Sequence, residues 1–98
     1  MTPEGVIKRE VKKLLTVHDA YWHCPVQNGM GAPTLDFICC HNGLYLAIET
    51  KAGGKSLTPR QQQTSEHIRQ AGGVVFVVDG DASLAPLEQW LLTYKCLV

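Results

Sequence analysis

No stretch of this 98-residue chain approaches the roughly 20 consecutive apolar residues that a membrane-spanning helix needs. The N-terminus carries no charged segment followed by an apolar one, which argues against a secretory leader and for a cytoplasmic protein. Charge of either sign is not in excess: nine Lys and Arg balance nine Asp and Glu. A strongly basic nucleic-acid binder would not read this way. Repeats, low-complexity tracts and linkers are absent, so residues 1–98 form one domain near the low end of domain size. His18, His23, His41 and His67 stand without ligand spacing, and Cys24, Cys39, Cys40 and Cys96 form no C-x2-4-C pair, which removes the usual structural zinc site. Adjacent Cys39 and Cys40 would point to opposite faces of a strand, which does not suit a disulfide framework and fits reduced, cytosolic thiols. Gly53-Gly54-Lys55-Ser56 looks like the end of a Walker loop but lacks the upstream glycine at the required spacing.

What the chain does have is concentrated between Asp36 and Lys51. This stretch reads as two strands joined at Asn42-Gly43, the strongest short hairpin signal, because a type I′ turn needs φ > 0 at both central residues. With a two-residue turn, His41 faces Leu44 and, counting outward, Asp36 faces Glu49. Lys51 lies two residues beyond Glu49 and shares its face. Leu35, Phe37, Cys39, Leu46 and Ile48 make the other, apolar face. Directly opposed residues have Cβ atoms about 5 Å apart, where like charges repel. A cation between the carboxylates would relieve that cost. Without one, each acid disfavours the other's ionisation, so the pair should titrate as a unit with at least one pKa raised. Mg²⁺ takes hard oxygen ligands and keeps several waters, which suits two carboxylates with positions left for water and a phosphate oxygen. A neighbouring ammonium can orient the attacking water or stabilise charge on phosphorus.

The remaining elements follow from local signals. Thr2 and Pro3 open a helix with an apolar stripe of Val6, Ile7, Val11, Leu14 and Leu15. Ala20–Val26 reads as a short strand and residues 27–33 as a loop. Thr58 caps a helix beginning at Pro59 and running to about Gln70, ended by Gly72-Gly73. Val74–Val78, a continuous apolar run, reads as a central buried strand. Ala82 or Ser83 opens a last helix through Tyr94, with Leu84, Leu87, Trp90 and Leu91 facing the core. The expected order is αβββαβα. Glu4 and Glu10 border the first helix's apolar stripe on opposite sides, and either could be an ordinary helix acid. Lys8, Arg9, Lys12 and Lys13 read as a solvated helix face. Lys51, Lys55 and Arg60 flank the acids and are the better candidates for phosphate contact. Gln61 lies in the first turn of its helix, and Gln27 could reach the site from its loop.

Asp36, Glu49 and Lys51, in the order D-x12-E-x-K, resemble the PD-(D/E)XK nucleases. The run from Lys51 through Gly53-Gly54 to Leu57-Thr58-Pro59-Arg60-Gln61 is similar to the VRR-Nuc branch of that superfamily. So are Ala71-Gly72-Gly73 before an apolar strand and the N-terminal Thr2-Pro3-Glu4. The family often places proline immediately before its aspartate. Here Pro33 stands three residues ahead of Asp36, so Asp36 rests on the hairpin register as much as on the motif. The resemblance covers roughly residues 2 to 80. It implies an α/β (α+β) fold with a restriction-endonuclease-like core, a mixed sheet flanked by helices. It further implies a Mg²⁺-dependent endonuclease, Mn²⁺ substituting, that acts on DNA, structured or branched, as a homodimer. Short stand-alone members of this kind are familiar among phage proteins, which would place the chain in a bacterial host cell. By the same resemblance Asp36, Glu49, the Thr50 carbonyl and Glu4 would hold the metal, with Glu10 as the fallback for Glu4. Lys51 would position or activate water, and Gln61 would support it. The alternative is a nucleic-acid-binding module of the same fold without turnover, favoured by the displaced proline and the neutral net charge.

Overall fold

The computed structural model describes residues 2–26 and 33–95. Its elements are α1 (Pro3–Val17), β1 (Tyr21–His23), β2 (Phe37–His41), β3 (Leu44–Thr50), α2 (Pro59–Gln70), β4 (Val74–Val78) and α3 (Asp81–Thr93). They form an α+β fold with a four-stranded mixed sheet in the order β1-β2-β3-β4, antiparallel except where β4 pairs parallel to β3. Order and sheet are consistent with a restriction-endonuclease-like core. Gln27 and Cys96 lie outside the described residues. No described helix is long and apolar enough to cross a membrane.

Capping chemistry sets the helix starts. Thr2 Oγ1 accepts the Gly5 N–H at 3.0 Å, with Pro3 at the first helical position. At α3 the cap residue is Gly80, which has no side chain to offer. No side-chain hydrogen bond caps this helix, and Ser83 instead binds back to the preceding turn, its Oγ accepting the Asp79 N–H at 2.9 Å and donating to Asp79 Oδ1 at 2.6 Å. The helix starts at Asp81, ahead of the expected Ala82 or Ser83. At the hairpin, Asn42 and Gly43 have φ of 55° and 81°, as a type I′ turn demands. The register runs from His41↔Leu44 to Phe37↔Ile48, as the turn dictates.

The sheet separates two layers. Phe37 and Cys39 of β2, Leu46 and Ile48 of β3 and Val78 of β4 pack against Val11 and Leu15 of α1 and Leu87 and Leu91 of α3. Tyr45, Ala47 and Glu49 alternate onto the opposite face, toward α2. The buried His41 ring donates from Nε2 to the Leu91 carbonyl at 2.9 Å and thereby ties the hairpin to α3.

Three expectations need correction. Val74–Val78 is the edge strand among the described residues, not a central one, and most of it is half-buried. Helices on both faces account for its unbroken apolar run, which carries no information on whether both edges are paired. Strand β1 spans three residues, shorter than Ala20–Val26. Val6 is 39% exposed and falls outside the α1 stripe.

Candidate active site

The site assembles where the N-terminus of α1, the start of β2, the end of β3 and the first turn of α2 meet. The antiparallel ladder stops at Phe37, so Asp36 lies one residue before β2 and is held by side-chain bonds. Its Oδ2 accepts the Thr50 N–H at 3.0 Å and the Thr50 hydroxyl at 2.7 Å. Its own N–H donates to Glu49 Oε1 at 3.2 Å. The two acids expected to face each other are thus cross-linked across the hairpin. Thr50 takes part through its amide and hydroxyl, which fix one Asp36 oxygen.

Glu4 joins them. One carboxylate oxygen from each of Glu4, Asp36 and Glu49 lies within 4.8 Å of the others, the one such cluster of three possible metal ligands among the described residues. Glu10 is turned away, near Arg9 at 4.0 Å and Lys13 at 3.7 Å. Of the two acids bordering the α1 stripe, Glu4 is the one at the site. Three hard oxygen donors at this spacing fit the ligand preference of Mg²⁺ or Mn²⁺.

Gln61 is oriented by its own helix start. Thr58 Oγ1 accepts the Gln61 N–H at 3.2 Å while Gln61 Oε1 accepts the Thr58 N–H at 3.0 Å, a complete capping box. With Oε1 committed there, Nε2 is left to donate, and it does so to Glu49 Oε2 at 2.9 Å. Lys51 Nζ approaches the same oxygen at 3.8 Å. Lys51 is therefore on the Glu49 face, as the alternation requires.

Glu49 is 2% exposed. Burial, and next the Asp36 charge, push its carboxyl up from 4.5 to about 7, against the opposing pull of Lys51.

Lys55 and Arg60 are exposed, and neither forms an ion pair among the described residues. Instead Lys8 Nζ lies 3.9 Å from Asp36 Oδ1. Lys8, expected on a solvated helix face, therefore borders the acids. The signal for its position was present: residues four apart share one helix face, so a Glu4 turned to the site brings Lys8 with it. Three carboxylates with two ammonium groups at their rim can bind a divalent cation and meet a phosphate. No family model matches the chain, and no curated protein matches it.

Proposed function

We propose that this chain is a metal-dependent endonuclease that hydrolyses DNA phosphodiester bonds, a compact relative of the VRR-Nuc nucleases that works as a homodimer. The observation that carries this reading is the convergence of Glu4, Asp36 and Glu49 from three separate elements, with Lys51 beside them. Glu4, Asp36 and Glu49 would hold Mg²⁺ or Mn²⁺, which supplies charge neutralisation at the phosphate and a more acidic bound water.

The chain's own groups have separable tasks. The Thr50 amide and hydroxyl hold Asp36 Oδ2 and so fix the carboxylate's orientation at the cluster. Gln61 and Lys51 converge on Glu49 Oε2, which favours the ionised form that burial disfavours. Lys51 orients the attacking water and shields charge developing on the phosphoryl oxygens. Lys8 stands where it can meet a backbone phosphate on the α1 side.

The test is incubation of the purified protein with supercoiled, linear and four-way DNA in Mg²⁺, Mn²⁺ or EDTA. Nicking that requires a divalent ion is expected. No cleavage with either ion, or cleavage that survives EDTA, overturns the proposal. A nucleic-acid-binding module without turnover is the second reading. Its support is Lys8 beside Asp36 Oδ1, where the chain supplies a cation of its own. On that reading DNA binds in EDTA and is never cut.

A further inference from the structure

On the face of the sheet that carries Glu49 lies a groove of about 1040 Å³. Arg60, Thr64, His67 and Ile68 of α2 form one wall, Tyr45 of β3 the other, and Gly73 lines it between them. Its origin is the composition of α2. That helix buries only Ser65, so it sits on the sheet without filling the space toward the hairpin. Tyr45 is 47% exposed, yet it is backed closely. A Cβ on Gly73 would come within 3.0 Å of Tyr45 Cδ1 and 2.6 Å of Ile68 Cγ2, so only glycine permits this approach. The result is an accessible aromatic ring braced from behind.

The geometry points to this groove as the seat of an unpaired DNA strand adjoining the point of cleavage, with a base stacked on Tyr45 and a phosphate on Arg60. This rests on the nuclease reading and adds the class of substrate. Three observations favour a DNA strand as the occupant. Among the described residues, no acidic side chain lines the groove, although acids and bases are equal in number over the chain. Arg60 and His67 supply donors there, as a phosphate backbone requires. The groove also lies within a short length of strand of the acids: Tyr45 and Glu49 share one face of β3, about 13 Å apart at the usual rise per residue, and Arg60, which lines the groove, adjoins Gln61, whose amide touches Glu49. A groove of this volume has room for a nucleotide, and a base can lay its face on the exposed Tyr45 ring only when it is unpaired and out of the duplex stack.

The experiment is fluorescence anisotropy in EDTA with a labelled 12-nucleotide DNA strand and a blunt duplex of the same sequence. The proteins are wild type, Tyr45→Ala, Tyr45→Phe and Arg60→Glu, with Mn²⁺-dependent cleavage of the wild type measured in parallel. Tyr45→Ala is expected to weaken single-strand binding about tenfold or more, as loss of one stacked base does, and by about tenfold more than it weakens duplex binding. Tyr45→Phe, which keeps the ring, should restore binding. Arg60→Glu should weaken it too, and its exposed position in the first turn of α2, where an acid favours the helix, keeps the fold intact. If Tyr45→Ala and Arg60→Glu both bind the strand as the wild type does, the groove assignment falls, whether or not the wild type cleaves DNA. If Tyr45→Ala binds DNA normally but converts a dimer to a monomer in sedimentation, the occupant is a second copy and the assignment also falls. A ribo-oligonucleotide that binds more tightly than the DNA strand, with the same dependence on Tyr45, overturns the choice of DNA. Tyr45-dependent strand binding without any cleavage would uphold the groove and overturn the nuclease reading.

Discussion

Glu49 makes the metal-free domain pH-sensitive in a defined direction. Its carboxyl is buried, and burial with the Asp36 charge raises it from 4.5 to about 7. A group whose folded pKa is raised contributes stability that is fully present below the unfolded pKa and is lost as pH rises through the folded one. At about 1.4 kcal/mol per pKa unit the full loss is about 3 kcal/mol, most of it between pH 5 and 8. For a domain of this size each kcal/mol corresponds to about 4–8 °C, so the melting temperature in EDTA should fall by more than about 10 °C across that window. Other groups titrate there too, and Glu49→Gln separates them, because it keeps every other group and cannot ionise. Thermal melts by circular dichroism at half-unit pH steps, on wild type and Glu49→Gln, give the difference directly. The difference curve should drop through pH 7. Saturating Mn²⁺ should flatten the wild-type curve, since a ligand of the native state stabilises by RT ln(1 + [L]/Kd), about 2.7 kcal/mol at a hundredfold excess. Parallel melts of the two proteins from pH 5 to 8 would refute the reasoning, as would a wild type that gains stability relative to Glu49→Gln.

Other consequences can be read from single contacts. Gln61→Glu keeps the Thr58 capping box but sets a carboxylate against Glu49 Oε2, so the variant should melt several degrees below wild type at pH 8 and near it at pH 5. Burial pushes the Cys39 thiol up to about 12. In native protein at pH 8, iodoacetamide should therefore label the exposed Cys24 and Cys40 and spare Cys39, as peptide mass spectrometry would show. Gly73→Ala would place its Cβ 2.6 Å from Ile68 Cγ2 and 3.2 Å from the Ile68 carbonyl oxygen, and chemical denaturation should report a loss of about 1–3 kcal/mol.

The hairpin was legible because one dipeptide determines its geometry. Asn42-Gly43 selects the turn, the turn selects the register, and the register brings Asp36 to Glu49. Helix starts were legible wherever a side chain does the capping, as at Thr2 and Thr58, and less so at Gly80, which has no side chain to cap with. Sequence pattern could not rank Glu4 against Glu10, since each borders the same stripe and only the crossing of α1 over the sheet selects one. The edge position of β4 was hidden for a related reason: helices cover both its faces, and burial of faces says nothing of edges. The groove at Tyr45 was invisible in the chain, because its walls come from β3 and α2 and its shape from how little α2 fills.

Calorimetric titration of Mn²⁺ into wild type, Asp36→Ala and Lys51→Ala tests the central claim most directly, that these acids are a cation site served by a lysine that is not a ligand. Wild type and Lys51→Ala should bind one ion with comparable affinity, and Asp36→Ala should show no saturable heat. Equal Mn²⁺ affinity in wild type and Asp36→Ala would contradict the account, because it would leave the Asp36 carboxylate outside the site on which the proposed activity depends.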